Sequence, residues 1–380
     1  MQSYPCSKLQ KEHCAHSVPR EVLKYPRIEI NIQKIKENIN TIVEKCRKQN
    51  IEVAAVTKLV CGNLEIAEVL ANSGIEMLAD ARIENINKYR NIDIPKMMLR
   101  LPMQSQIDQV VESCDVSLVS DINTMRLLSE SAIKKNIIHR VVVMIDVGDL
   151  REGIYHTDEI YATFDQACNL QGIRLSGIGT NLSCYGGVMP TYETLEKLVA
   201  LKERLNHEYN LDMKIVSGGN SGTLSVMIQK GKLPKGINHL RLGASIFLGI
   251  GLNDEPIDGL NQNAFRLVCE VIEVKNKPSV PVGEIGLDAF GNKPVFEDKG
   301  EITRCICAIG RQDVCPSDLL PCDKDIEILG ASSDHLILDV TQSNIDYKTG
   351  DSITFDLTYG ACLSLMTSAY VQKYSILSDC

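Results

Sequence analysis

The strongest constraint in this chain is a recurrence. From Arg27 onward, short apolar runs alternate with stretches of helical periodicity, one pair about every 25 to 35 residues. The runs are RIEINI, EVAAVTK, MLADA, KMMLRLP, VSLVS, HRVVVMIDVG, LSGIGTNL and MKIVSGG. The first leads into an amphipathic stretch from Lys34 to Lys48 that sets Ile35, Ile39, Ile42 and Val43 on one face. Several runs are apolar at consecutive positions, as strands buried on both faces of a parallel sheet must be. So many strand–helix units in roughly 220 residues predict an α/β fold built on a closed TIM (β/α)8 barrel, because an open doubly wound sheet would be shorter.

Near Gln262 the pattern changes. FRLVCEVIEVK, EITRCICAIG, IEILGA, HLILDV and SITFDLTYG are short alternating strands separated by turn-rich pieces. The 380 residues therefore divide into an N-terminal extension (1–24), a barrel (25–261) and a C-terminal, mostly β domain (262–380). Charges scattered through Met1–Lys24, with no apolar core, exclude a signal peptide there. A net charge of −9 disfavours nucleic acid or an anionic membrane as the main partner. No apolar run is long enough to span a bilayer. The 14 cysteines are scattered, mostly within apolar runs, and read as reduced packing residues of a cytoplasmic protein. Cys6, His13, Cys14 and His16 lack zinc-ligand spacing, so no metal is expected.

Chemistry in such a barrel belongs at the C-terminal ends of its strands. Lys58 closes the run Val53–Thr57 and falls in that mouth. A lysine desolvated there can form a Schiff base with an aldehyde, although taken alone it reads first as a snorkelling strand-end residue. Ser217-Gly218-Gly219-Asn220-Ser221-Gly222 follows a late strand and opens a short helix, which suits an anion, although a plain tight turn would look the same. A second loop of the same character, Arg241-Leu242-Gly243-Ala244-Ser245, adds a permanent cation. Lysine, phosphate cradle and arginine together point to pyridoxal 5'-phosphate (PLP), whose aldehyde, phosphate and ring nitrogen each need one of these partners.

The order of Lys58, the stretch Asp146–Gly153 (DVGDLREG), Ser217–Gly222 and Arg241–Gly249 resembles the alanine racemase-like, fold type III family of PLP-dependent enzymes. The resemblance covers nearly all of Tyr25–Tyr370. DVGDLREG, VSGGNSG, VPVGEIGLDAFGNKP and ILGASSDHLILDV are similar to its ornithine racemase branch. It implies that Lys58 holds PLP and acts as one of two bases. Ser217, Gly219, Asn220, Ser221, Gly243, Ala244 and Tyr359 would contact or shape the phosphate site, and Arg241 would donate to the pyridine nitrogen. Arg151 would face the phenolic oxygen and the substrate carboxylate, its alternative being a loop salt bridge. Asn181 takes the place of a histidine stacked on the cofactor ring, and Gly62 that of a family tyrosine. Both replacements enlarge the expected pocket.

The same resemblance places a second base, a tyrosine of the partner subunit in alanine racemases, where this chain has Gly283-Glu284-Ile285-Gly286-Leu287-Asp288-Ala289. Asp288 is then a candidate base, a partner for a cationic side chain, or a turn carboxylate capping Phe290-Gly291. Asp313 and Asp334 match positions near the mouth and the substrate carboxylate and would suit a terminal ammonium, or are solvated loop residues. The resemblance thus implies a homodimeric, cytoplasmic racemase that interconverts L- and D-ornithine through a Lys58 Schiff base. Lysine or alanine are alternative substrates, since a methylene discriminates by only ~1–3 kcal/mol. A PLP homeostasis protein is a further alternative, disfavoured by the C-terminal domain. A basic amino-acid decarboxylase is disfavoured too, because the Cys-Glu-Ser-x-Asp stretch of that family is missing.

Overall fold

The computed structural model describes residues 24–376. The extension, apart from Lys24, and its Cys6, His13, Cys14 and His16 lie outside the described residues.

RIEINI does not open the barrel. Its strand, β1 (Arg27–Asn31), pairs antiparallel with β10 (Phe265–Pro278) and parallel with β16 (Gln372–Ile376) in the C-terminal sheet. The alternation of the run explains this. Ile28 and Ile30 are buried on one face, while on the other half-buried Glu29 forms an ion pair with Arg27, which itself is only 8% exposed, a pattern suited to a sheet with one more polar face. Asn31 then caps the helix Ile32–Arg47 by accepting from Lys34 N at 3.0 Å, and the predicted Ile35, Ile39, Ile42 and Val43 face is buried.

Eight parallel strands close the barrel in chain order. They are β2 (Glu52–Val56), β3 (Met77–Asp80), β4 (Lys96–Met98) and β5 (Val116–Val119), then β6 (His139–Met144), β7 (Ile173–Gly179), β8 (Ile215–Ser217) and β9 (His239–Leu242). Inside, Ala54, Val56, Met77, Ala79, Met97, Val116, Leu118, Val142, Met144 and Ile215 form one packed cluster. Their neighbours Val53, Ala55, Leu78 and Val141 pack outward under the helices. Both faces of the strands are dry, which is why the runs are apolar without alternation. Strand β9, whose Arg241 and Leu242 the sequence reading puts in a loop, completes the ring. It was hidden because His239 and Arg241 alternate with Leu240 and Leu242, and both polar side chains are buried.

The second sheet runs β12 (Leu319–Pro321), β15 (Ser352–Leu357), β10, β11 (Glu301–Cys307), β14 (Leu336–Asp339), β13 (Glu327–Ala331), with β1 and then β16 attached to β10. Between β10 and β11 lies a long stretch without regular structure, 279–300, that contains Asp288. After β15 comes the helix Tyr359–Thr367, started by Thr358, whose Oγ1 accepts from Ala361 N. Tyr359 therefore opens a helix instead of ending a strand. That helix packs against the turn carrying Lys58, so the sheet domain reaches the barrel mouth.

Candidate active site

Lys58 lies in a single 3-10 turn, Thr57–Val60, directly after β2. The turn is anchored from below. Buried Thr57 donates to Asp80 Oδ2 at 2.7 Å, and Asp80 Oδ1 also accepts from Arg82 N at 2.9 Å and Asn85 Nδ2 at 3.2 Å. Burial pushes the Asp80 carboxyl up, partly offset by these hydrogen bonds. Gly62 ends the turn at φ +60°, and a Cβ there would stand 2.7 Å from Asn85 Cβ. The space expected to open at Gly62 is thus filled by Asn85, and Asn181 alone of the two replacements lines the cavity. The Lys58 Nζ stands 5.8 Å from the centre of the Tyr359 ring.

Two helix starts converge across from this lysine. Asn220 caps the helix Ser221–Lys230 by accepting from Gly222 N at 3.0 Å. The chain enters it through Gly219, whose φ of +117° few other residues adopt. Gly243 leads into the short helix Ala244–Leu248. Ser221 Oγ joins the two starts, accepting from Ser245 N and donating to Ser245 Oγ, both at 3.0 Å. Within the described residues, Ser221 N and Ala244 N carry no hydrogen bond. Free N–H groups at helix starts are donors for an anion.

Arg241 lies beneath them, 6% exposed. It donates to Ser217 Oγ at 2.5 Å and to Thr180 O at 2.8 Å. Ser217 also meets His239 Nδ1 at 2.8 Å. Because its oxygen accepts from Arg241, its own proton goes to His239, which burial keeps neutral by lowering it to about 3. Burial lowers Arg241 as well, to about 10, so the guanidinium stays charged at neutral pH. Ser217 and Gly219 support this wall without lining the cavity themselves.

The DVGDLREG stretch supplies the opposite rim. Asp149, 1% exposed, accepts from the backbone N–H of Ser183, Cys184, Tyr185 and Val188 at 3.1 to 3.3 Å. Sequence reasoning missed this residue, since nothing in the sequence marks an Asp as buried, and it holds the loop after β7 over the site. Arg151 forms the salt bridge foreseen as its alternative, through Nε and NH2 to the Glu152 carboxylate, with NH2 to Oε1 at 2.6 Å. Its other edge faces the Asn181 carboxamide, NH2 at 2.6 Å and NH1 at 3.2 Å, which makes the amide oxygen the facing atom.

These groups share one cavity of about 750 Å³. Lys58, Arg151, Asn181, Asn220, Ser221, Arg241, Gly243, Ala244 and Tyr359 all line it, along with Arg100, Glu152 and Asp254, which sequence reasoning did not select. The predicted acids stand elsewhere on the chain. Asp288 is half-buried in 279–300 and accepts from Phe290 N at 2.9 Å and Asn292 N at 2.8 Å, so within one chain it is the turn cap. The backbone N–H of Asn292, ahead of that of Phe290, holds it below the usual carboxylate range. Asp313 accepts from Ser368 Oγ at 2.6 Å beside Arg311 and Tyr370, and exposed Asp334 accepts from Ser333 Oγ at 2.8 Å. Among the described residues, no group of three or more His, Cys, Asp or Glu forms a metal site. No helix there is long and apolar enough to cross a membrane.

The donors fit PLP: an amine for the aldehyde, free N–H groups for a phosphate, and a charged buried guanidinium for an acceptor nitrogen. Comparison with known proteins agrees. The chain is 44% identical to an ornithine racemase of Acetoanaerobium sticklandii, covering 92% of this chain and 99% of that one. It is 43% identical to a lysine racemase of Thermotoga maritima, covering 92% and 98%. The alanine racemase structure of Clostridium difficile 630 superposes with a TM-score of 0.71 at 18% identity, over 93% of this chain and 96% of that one. That of Bartonella henselae, with covalently bound pyridoxal phosphate, gives 0.70 at 17% identity over 92% and 99%. Residues 30–250 match the family described as alanine racemase, N-terminal domain. The barrel, the sheet domain and these matches agree: the chain belongs to the alanine racemase family of PLP-dependent amino-acid racemases.

Proposed function

We propose that the chain interconverts L- and D-ornithine by a two-base route, with Lys58 serving one face of the α-carbon and Asp288 of a second copy serving the other. One observation carries this reading: Lys58, Arg151, Arg241 and both helix starts meet on a single cavity. Similarity to an ornithine racemase over nearly the whole of both chains supports the substrate. PLP, when bound, supplies an aldehyde for the amino group and a conjugated ring that makes the α-proton removable. Lys58 Nζ would hold the aldehyde and, once released from it, move a proton at the α-carbon. Asn220, Ser221, Gly243 and Ala244 would bind the phosphate, with Tyr359 beside it and Gly219 shaping the turn. Arg241, backed by Ser217, would donate to the ring nitrogen without surrendering its proton, which keeps the ring a weaker electron sink and favours quick reprotonation. Arg151 would hold the substrate carboxylate next to Asn181.

Racemisation needs a proton carrier on each face. Asp288 does not line the cavity of its own chain, so a homodimer is part of this reading. The segment around it favours a covering copy, since Val282 and Val295 are 94% and 93% exposed and Leu287 and Phe290 are also in water. In water its hydrogen bonds make Asp288 a weak base, and burial in a partner's cavity would raise it toward a useful range. Asp313 and Asp334, from the same domain, would hold the terminal ammonium. The free thiols of buried Cys46, Cys114, Cys269 and Cys362 support a reducing compartment, the cytoplasm. The near-equal similarity to a lysine racemase makes lysine the second reading.

The test follows loss of optical rotation from pure L-ornithine, L-lysine and L-alanine, together with the visible absorbance of bound cofactor. Fastest loss with ornithine is expected. Lys58→Ala should remove the absorbance band and at least ~10⁴-fold of the rate. Fastest loss with lysine or alanine overturns the substrate, and a Lys58→Ala protein that keeps the band overturns the anchor.

A further inference from the structure

A guanidinium has two edges that can take a carboxylate side-on, Nε with one terminal nitrogen and the two terminal nitrogens together. Arg151 uses the first edge entirely on Glu152, through Nε and through NH2 at 2.6 Å. The second edge faces Asn181. Glu152 itself lines the cavity, and among the described residues Arg151 alone donates a hydrogen bond to its carboxylate. Its position is set by the backbone. Leu150 is at φ +56° and Gly153 at φ +122°, and a Cβ on Gly153 would stand 2.5 Å from Asp146 N, so no side chain fits there. Asp146 ties the same bend by accepting from Gly148 N at 2.8 Å and Leu150 N at 3.2 Å.

We propose that Glu152 is a positioning residue: by occupying the Nε edge of Arg151 it leaves a substrate carboxylate only the edge shared with Asn181. This rests on the reading of Arg151 as the carboxylate-binding residue. The two edges point in different directions from one carbon, so a carboxylate seated on the wrong one carries its α-carbon ångströms away from Lys58. A racemase tolerates this poorly, because both faces of the same carbon must stay within proton-transfer reach. Asn181 suits the shared edge, since its carboxamide can turn its nitrogen toward an arriving carboxylate while Arg151 donates from NH1. The Glu152 charge also reaches Arg241 and favours its protonated form, so one carboxylate steadies Arg151 and Arg241 together.

The roles of occupant and of simple support give opposite results when Glu152 is neutralised. In holoenzyme, Glu152→Gln keeps one acceptor oxygen but gives up the other, so it opens half of the first edge and removes a negative charge. The turnover number for L-ornithine should fall roughly 100-fold. Propionate, a carboxylate without an amine, should bind roughly three- to tenfold tighter by calorimetry. The cofactor band and the thermal midpoint should stay as in the parent protein. Glu152→Asp keeps the charge, and it should leave propionate affinity near the parent value with turnover between the two. It also stands in should the glutamine variant fail to fold. Weaker propionate binding in Glu152→Gln, or turnover within twofold of the parent, overturns the proposal. Arg151→Gln separates the two layers of the argument. If it still binds propionate like the parent, Arg151 does not hold the carboxylate and both readings fall. If it loses propionate while Glu152→Gln behaves as the parent, only the role of Glu152 falls.

Discussion

Two aspartates in this molecule do the same local job in opposite surroundings. Asp149 gathers four backbone N–H groups in a buried bend and pins the loop after β7 above the barrel mouth. Asp288 gathers two, in water, on a segment that shows valines and a phenylalanine to solvent. Around Asp149 the half-site is finished within one chain: Arg241 has its acceptors, the helix starts are joined and the Lys58 turn is anchored. Around Asp288, Arg311 is close enough to favour the charged carboxylate, and among the described residues nothing brings it to the Lys58 cavity. A two-base racemase needs a cradle for the cofactor and a proton carrier on each face of the α-carbon. On the proposed reading, the barrel provides the first, and the surface around Asp288 would bring the second to another copy.

The comparison is broken most forcefully from the barrel side. Asp149→Ala leaves four N–H groups without their acceptor in a buried place, and should cost about 4 kcal/mol of unfolding free energy in denaturant titrations. Proteolysis should then strike first within 183–188. If the loop stays protected and stability falls by less than about 1 kcal/mol, the loop is held by something other than this carboxylate.

From the other side, Asp288→Asn should leave the fold and the cofactor band intact, because the turn hydrogen bonds can be accepted by an amide. Turnover should fall roughly 100-fold, as for loss of a general base. Exchange of the α-proton with deuterated water should persist from one enantiomer only. Full racemisation by a protein that sediments as a monomer would remove Asp288 and the shared site together.

The smallest effect sharpens the contrast between buried and exposed titratable groups. His139, buried and 2.9 Å from Ser117 Oγ, is lowered to about 4, mainly by burial. His239 is lowered to about 3 for the same leading reason. Both are neutral in the folded chain, whereas an unfolded histidine protonates near 6.5. Their contribution is therefore complete above pH 6.5 and is lost as pH falls toward 4. At pH 5 each should cost about 2 kcal/mol relative to pH 7. His139→Gln should flatten that part of the stability curve, and an unchanged slope between pH 7 and 5 would refute its burial as a neutral group.

Much of the architecture was legible because it follows from periodicity. The apolar runs of β2 to β8, the buried face of Ile32–Arg47 and the change of pattern after Gln262 all report which surfaces must leave water. The errors occurred where periodicity is ambiguous. RIEINI looks like one more barrel strand until its alternation is weighed. Arg241 and Leu242 look like the start of a loop because Gly243 follows and two of the four residues in HLRL are polar, and only the surrounding strands show that His239 and Arg241 satisfy each other's neighbourhood through Ser217. Tyr359 follows a strand closely enough to be read as its end, and only the Thr358 cap shows a helix beginning there. At Gly62, loss of a bulky side chain implied open space, but Asn85 fills it.

By itself, the sequence determined the kinds of groups available and their order: a lysine after an early strand, a glycine-rich helix start after a late one, and an arginine at the head of a second such stretch. Local chemistry and chain order suffice for that, since strand ends and helix starts are read within a few residues. Only the tertiary structure decided which groups meet. Closing the ring of strands brings Lys58 and Arg241 to one cavity though 183 positions separate their numbers. It also buries Asp149, turns the Nε edge of Arg151 onto Glu152, and leaves Asp288 outside in water. Burial and edge-on contact arise from packing among distant segments, and no short window of sequence carries that information.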